Sequence, residues 1–556
     1  MIATFNKLKF ILTKKQKISF FLTTFLMIVS SFFEMLSVGF LIPVISIIIN
    51  GQLENPYINL DFLLKFTQNS SYQELLFLVF FIFAILFLLK FLFIIFFLYK
   101  KNVFIFSVRN ELSRKIFKSF LNRPYDFHQS TNTSKLAINC KYEVDLFTAT
   151  ILNGGLEILS DLVLAIFLIF LLMYLEPNLT IVVSFIFVSF VYFFQLALKN
   201  RSTIWAKERQ YFDTLLNKVI QEGLGSIKEI ILSFKENFFI KQLVYYLRRN
   251  SIVSIRSQLA SETPRPLMEL IAIISFIVIF FFLTFLGYES KNIITLLGIF
   301  AAVSFKLLPC FNRILANIQR YRQGIPVVDF VYDELKSTNL FDKNLNLEIS
   351  NNTNTIFLNS TIEIKDLNFS YQDLDQSNKK IIFENCNFKI KKGEYIGLVG
   401  PSGTGKSTFL NIISGLIKNY DGQILIDDKN IKNLNKDWTK RVAYISQDPF
   451  FLDDTIKNNV AFAEDEVGID DAKVWKALKA AELFDFVNSL KNKLNNFIGE
   501  KGAKMSAGQL QRLAIARALY DDFDLIILDE SLNALDSENE SKILKVLKDL
   551  KNQNKT

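Results

Sequence analysis

Six nearly unbroken apolar stretches, most of them close to the twenty residues needed to cross a bilayer core, constrain this chain more than any other feature. They fall at roughly 18–49, 75–99, 151–175, 179–198, 267–287 and 293–311. Inside lipid no water is available to exposed backbone N–H and C=O groups, so runs of this length are expected to be helices. Composition agrees: 51% of residues are hydrophobic and 21% charged, with 58 Phe among 556 residues. A soluble chain of this size would expose too much apolar surface, and a disordered one would lack the apolar mass. The expected fold is a multidomain membrane protein. A six-helix, all-α transmembrane domain over 1–340 precedes a soluble domain.

The charges alternate with the spans. Residues 100–148 carry nine Lys/Arg and 199–265 carry twelve, whereas 50–73 carries only Lys65 and 288–292 only Lys291. The positive-inside rule then places both termini and both long basic loops in the cytoplasm, which requires an even number of spans. The loops are rich in helix formers and are predicted to continue the membrane helices outward. The first span is long for one crossing, and a bend is expected near Gly39 and Pro43. Segment 54–68 alternates apolar and polar residues and is either a short interfacial helix or an ordinary loop. Net charge is +9, but its placement around the spans speaks for membrane lipids and against nucleic acid as a partner. Cys140, Cys310 and Cys386 are far apart and have no chemical role in this reading.

After about residue 340 the composition changes. The Asn- and Ser-rich stretch 341–360 is expected to be a linker. Short apolar strands then alternate with amphipathic stretches such as 471–490, the pattern of an α/β domain over 361–556. Within it YIGLVGPSGTGKST (395–408) gives a strand at Tyr395–Val399, a glycine-bearing loop and a helix, which is the context a phosphate loop requires. Backbone N–H groups around Gly400, Ser402, Gly403, Thr404, Gly405 and Thr408 would cradle phosphates at a helix N-terminus. Lys406 would reach the β/γ-phosphates and Ser407 would ligate Mg²⁺. Further on, LIILDE (525–530) ends an apolar strand on two acids. Asp529 is placed on the Mg²⁺ hydration shell, and Glu530 as the group polarising an attacking water.

The segment between these elements resembles that of ATP-binding-cassette transporters. KMSAGQLQRLAIARAL (504–519) is similar to the family signature at Ser506, Gly508 and Gln509, with Ala507 where a glycine is usual. Tyr371 resembles the aromatic that stacks on adenine, and Gln447 the glutamine that touches Mg²⁺ and couples to the membrane helices. Gly499–Gly502 is similar to the exporter-specific motif, and Asn533–Asp536 to the loop that crosses a cassette dimer. Six spans followed by one cassette is the layout of an exporter-type half-transporter. The resemblance implies ATP and Mg²⁺ as cofactors, coupled ATP hydrolysis and an inner-membrane location with the cassette in the cytoplasm. Because one chain holds one cassette, it also implies a second half-transporter, most simply a second copy in a homodimer. In that pairing Ser506 of one copy closes on the nucleotide of the other.

In the family a further strand ends in a histidine that contacts the γ-phosphate. The only histidine here is His128, in the first cytoplasmic loop, and Lys555-Thr556 resembles the start of that strand. The expectation is a cassette truncated at its C-terminus, binding ATP and hydrolysing it poorly. The rival expectation is an ATP-binding partner subunit.

Ionisable groups within spans are costly and mark function. Lys90, Arg265, Lys306 and Arg313 are accompanied by Glu34, Glu157, Asp161 and Glu269. They are expected either to pair internally or to form a basic belt for a phosphate-bearing substrate. PRPLMEL (264–270), FKLLPCFNRI (305–314) and LNRPYDFHQ (121–129) are similar to the lipid-linked oligosaccharide flippases of bacterial protein N-glycosylation. That resemblance implies a polyprenyl-pyrophosphate oligosaccharide as substrate, with those four basic residues on its pyrophosphate. Export of another lipid or of a drug is the alternative, and would predict an apolar or acid-lined cavity.

Overall fold

The computed structural model describes residues 2–40, 72–287, 290–349, 357–372, 379–465, 468–530, 537–552 and 555–556. Segment 54–68, the bend at Pro43 and the motif Asn533–Asp536 lie outside the described residues. The chain forms two compact units, Met1–Asn122 with Thr133–Lys343, and Arg123–Asn132 with Asn344–Thr556.

The first helices in chain order are α1 (Ile2–Ile11), α2 (Lys14–Gly39), α3 (Tyr72–Leu121), α4 (Tyr125–Ser130), α5 (Thr133–Leu146), α6 (Gly154–Leu175), α7 (Pro177–Gly225), α8 (Ile227–Ser233), α9 (Glu236–Glu262), α10 (Pro264–Phe285) and α11 (Ser290–Ile349); α4 belongs to the second unit, and the others begin in the first. Among the described residues, five helical stretches are long and apolar enough to cross a membrane, on α2, α3, α5–α6, α9–α10 and α11. The fourth expected span is the shorter apolar stretch Ser184–Leu198 of α7.

Local chemistry sets several of the boundaries. Thr13 and Gln16 form a capping box at the start of α2, the Gln16 N–H donating to Thr13 Oγ1 and the Thr13 N–H to Gln16 Oε1. Pro177 and Pro264 open α7 and α10, where a missing N–H costs nothing. The basic loops do continue the spans: α3 has 50 residues and α7 has 49, each about 75 Å long at 1.5 Å per residue. Between α5 and α6 the chain makes a π-helical turn, Phe147–Asn153. It is packed so closely on α11 that a Cβ at Gly324 would lie 2.1 Å from Thr150 Oγ1.

The core of this unit follows helical periodicity. Leu164, Leu168, Leu172 and Leu175 of α6 meet Ile279 and Leu283 of α10 and Leu296, Phe300 and Val303 of α11. The expected linker begins as helix, because α11 runs on to Ile349. Extending an existing helix adds one hydrogen bond per residue fixed and needs no new nucleus, so Asn and Ser do not stop it.

The second unit contains β1 (Thr361–Gln372), β2 (Lys379–Lys391), α12 (Lys406–Ile413), β3 (Asp421–Ile426), β4 (Lys429–Asn430), α13 (Ile431–Thr439), β5 (Val442–Ile445), α14 (Ile456–Val460), α15 (Asp471–Ala480), α16 (Phe484–Ser489), α17 (Ala507–Tyr520), β6 (Leu525–Leu528) and α18 (Ser537–Asn552). An antiparallel sheet has the order β2-β1-β3-β4, and β5 pairs with β6 in parallel. Ile362, Ile364 and Leu367 of β1 pack with Ile412 and Ile413 of α12, Trp438 of α13, and Leu525 and Ile527 of β6. Arg441 fixes the start of the parallel pair with a fork onto Asp524, at 3.0 and 2.9 Å.

The strand expected at Tyr395–Val399 is not formed. A cavity of about 330 Å³ separates this stretch from β6, so its backbone has no ladder partner, and Val399 is 98% exposed. Thr556 reaches the far side of this cavity. Its N–H donates to Asp524 O at 3.0 Å, and its carbonyl accepts from the Ile526 N–H at 2.8 Å.

Candidate functional site

In the second unit, Gly403 and Gly405 take φ of +82° and +96°. A Cβ at Gly405 would lie 2.4 Å from Ile382 Cγ2, so both conformation and space require glycine at the N-cap of α12. Thr404 Oγ1 donates to Pro401 O at 2.9 Å. Lys406 folds back over its own loop, Nζ donating to Gly400 O at 2.8 Å and Pro401 O at 3.0 Å. Ser402 and Gly403 are exposed on the outer turn. Thr408 is buried behind it, with its hydroxyl 3.3 Å from Tyr371 Oη. The Tyr371 ring stands edge-on to Phe369 with its outer surface partly exposed.

Four of the expected site residues converge where β5 and β6 end. Ser407 Oγ donates to Asp529 Oδ1 at 3.2 Å, and Gln447 Nε2 donates to Glu530 Oε2 at 3.0 Å. Glu530 takes a left-handed φ of +49°, a conformation that costs a non-glycine residue about 1–3 kcal/mol and clusters at functional sites. Sequence reasoning missed a fifth member. Tyr444 Oη donates to Asp529 Oδ2 at 3.1 Å. Burial, and then the charge of Asp529, push the Tyr444 phenol up, so it remains a donor. A hydroxyl-bearing residue within the apolar strand VAYI, three positions before Gln447, was the available sign. The Ser407 hydroxyl beside a carboxylate and a side-chain amide is a hard-oxygen set that suits Mg²⁺.

Ser506, Gly508 and Gln509 are placed elsewhere, on the first turn of α17. Ser506 caps that helix in a capping box with Gln509, and Gly508 O accepts from Arg512 Nε. Before it, Gly499 and Gly502 both have φ of +77°, and a Cβ at Gly502 would lie 2.3 Å from Leu510 Cδ2. The exporter-like motif is therefore a tight turn that seats the signature helix.

The four basic residues expected to hold substrate are not one cluster. Lys90 is 7% exposed and donates to Ser37 Oγ at 3.0 Å, with Glu34 and Lys306 within electrostatic reach. Glu157 pairs with Lys101 at 3.4 Å. Arg265 pairs with Glu269 one helical turn on, at 3.3 Å. Arg313 forks onto Asp161. Arg265 and Arg313 nevertheless share a cavity of about 930 Å³, together with Arg209 and Arg320, which sequence reasoning did not single out. Arg320 follows Arg313 by seven residues, the same step that separates Arg313 from Lys306, so the spacing was there to be seen. Ser257, Ser261, Thr263 and Asn312 add hydroxyl and amide groups to the wall.

The profile described as ABC transporter transmembrane region matches residues 19–307, and the one described as ABC transporter matches 383–533. The chain is 26% identical over 456 residues to an ATP-dependent lipid A-core flippase of Ralstonia nicotianae, covering 79% of this chain and 72% of that one. It is 27% identical over 475 residues to ATP-dependent lipid A-core flippase 1 of Colwellia psychrerythraea, covering 80% and 74%. Among solved structures, a bacterial Atm1-family ABC exporter with ATP bound is similar in fold, with a TM-score of 0.74 and 17% identity. That match covers 97% of this chain and 89% of the other.

Proposed function

The chain belongs to the ABC transporter family and is an ATPase-coupled exporter with an ATP-binding cassette; from this premise we propose that it flips a phosphate-bearing glycolipid from the inner leaflet of the cell inner membrane, specifically a polyprenyl-pyrophosphate oligosaccharide. The observation that carries the substrate class is the 930 Å³ cavity lined by four arginines, Arg209, Arg265, Arg313 and Arg320, against one carboxylate, Glu262. Guanidinium forks match phosphate oxygens in geometry and charge. An exporter of apolar drugs would have no use for four of them in one cavity. Lys90 and Lys306 are assigned a supporting role, holding a positive field beside the membrane path.

The domain assignment proposed is a transmembrane domain over 1–340 and a cassette over 361–556 in the cytoplasm. In the cassette, the cradle Gly400–Thr408 binds the ATP phosphates, Lys406 swings from its own loop carbonyls to the β/γ-phosphates, and Tyr371 stacks on the adenine. Ser407, Asp529 and Gln447 hold Mg²⁺, directly or through its water shell. That ion supplies charge neutralisation at the transferring phosphate. Glu530, oriented by Gln447, takes the proton of the attacking water. Two copies pair head to tail, so that Ser506, Gly508 and Gln509 of one close over the nucleotide of the other. This pairing supplies the signature contact that each chain's own α17, capped on itself, does not.

A second reading, flipping of a lipid A-core glycolipid, is favoured by the names of the relatives at 26–27% identity. Both substrates are phosphorylated amphiphiles, so reconstitution decides between them. Proteoliposomes holding the full chain are given each lipid in turn, and ATP-dependent movement and lipid-stimulated phosphate release are measured. The proposal expects stimulation by the polyprenyl-pyrophosphate glycan that Arg265→Gln with Arg320→Gln abolishes. Stimulation by lipid A-core alone transfers the assignment to the second reading. Stimulation by neither lipid refutes the substrate class.

A further inference from the structure

We propose that Tyr444 is a positioning residue for magnesium: its phenol holds the Asp529 carboxylate so that Oδ1 faces Ser407, the residue that would hold Mg²⁺ with it. The inference rests on the assignment of Asp529 and Ser407 to Mg²⁺ made above.

The placement follows from strand register. Tyr444 of β5 pairs with Ile527 of β6 in a parallel ladder, so their side chains stand on the same face of the pair. Asp529 is two residues beyond Ile527 and returns to that face at the point where β6 has ended. Its backbone is held there by the N–H donating to Ile445 O at 3.0 Å. Across this diagonal a tyrosine ring has the reach to place its hydroxyl on the acid, and the hydroxyl lies 3.1 Å from Oδ2.

The two oxygens of Asp529 are therefore treated differently. Oδ1 accepts from the Ser407 hydroxyl and Oδ2 from the Tyr444 phenol. When Ser407 turns its oxygen to a cation, its proton leaves Oδ1, and that bond to Asp529 is lost. The phenol is then the side-chain donor that remains on the carboxylate, at the moment its orientation matters. Outer partners of this kind typically change metal affinity by about 10–100-fold. The ring of Tyr444 also packs on the apolar core beside Val442, and phenylalanine would pack there equally well. Only the hydroxyl is specific to Asp529.

The test uses the purified full chain with Tyr444→Phe, and Asp529→Asn as the reference variant. Binding of a fluorescent ATP analogue is followed in EDTA and then across a Mg²⁺ titration. The expected result is a Mg²⁺ midpoint raised about tenfold in Tyr444→Phe, with affinity in EDTA and thermal stability unchanged. A merely structural hydroxyl would move the EDTA affinity or the melting temperature and leave the Mg²⁺ midpoint alone. An unchanged midpoint in Tyr444→Phe, beside a raised one in Asp529→Asn, overturns the role of Tyr444. An unchanged midpoint in both overturns it together with the metal assignment itself.

Discussion

Arg313 lays its guanidinium across the buried carboxylate of Asp161, with Nε 3.1 Å from both oxygens and Nη2 2.6 Å from Oδ1. The pair is asymmetric: the Asp161 side chain is 8% exposed and that of Arg313 is 53%. Removing Arg313 leaves a buried acid without its cation, which costs about 3–5 kcal/mol. Asp161→Asn leaves a half-exposed arginine that water can reach and costs about 1 kcal/mol. Thermal unfolding in detergent should therefore fall much further for Arg313→Ala than for Asp161→Asn. Equal losses would reject the asymmetry.

Glu530→Gln keeps the Gln447 contact surface and removes the base. Loss of a positioned base lowers turnover by about 10²–10⁴-fold, and ATP binding should stay within a few-fold of wild type. Phosphate release and equilibrium binding, measured on the same preparation, check both halves. Turnover above a tenth of wild type would remove Glu530 from the catalytic role.

Gly502→Ala combines a φ of +77° with a Cβ 2.3 Å from the Leu510 side chain. Left-handed strain and overpacking together should cost about 2–4 kcal/mol. The effect should be confined to the second unit, where Trp438 is fully buried and reports its unfolding. A variant as stable as wild type would mean that the signature helix is not seated by this turn.

Asp427 contributes to the acid response of the second unit. It is partly buried, which alone would raise its pKa. The N–H groups of Asn359, Ser360 and Thr361 and the Ser360 hydroxyl outweigh burial and hold it below the usual carboxylate value. A depressed folded pKa gives stability that is present above the unfolded value, about 3.9, and lost as pH falls through the folded one. Melting temperature should drop on acidification below about pH 4, and Asp427→Asn should flatten that slope. An unaltered slope in the variant would assign the acid response to other groups.

The spans and the phosphate loop were legible because their causes are local. Backbone satisfaction in lipid fixes the length of an apolar run, and glycines with positive φ fix the loop between Val399 and Lys406. What escaped depends on partners distant in sequence. Tyr444 reads as one more apolar strand residue until β5 lies beside β6 and brings Asp529 across from it. Along the chain Lys90, Arg265, Lys306 and Arg313 read equally well as one basic belt or as internally paired charges, and the sequence does not name the partner of each. Packing gives three of them separate partners: Ser37 for Lys90, Glu269 for Arg265 and Asp161 for Arg313. Arg209 joins the cavity from α7, a hundred residues from Arg313, and no spacing rule reaches that far. The strand at Tyr395–Val399 fails for the opposite reason. Its sequence is right, but a strand exists only through a neighbour.

That stretch leads straight into the phosphate cradle. Because it has no ladder partner, its amide hydrogens are expected to exchange with solvent faster than those of β6, which pairs with β5 and with Thr556. A molecule that filled the 330 Å³ gap and bonded to both sides is expected to slow that exchange without touching the nucleotide loop.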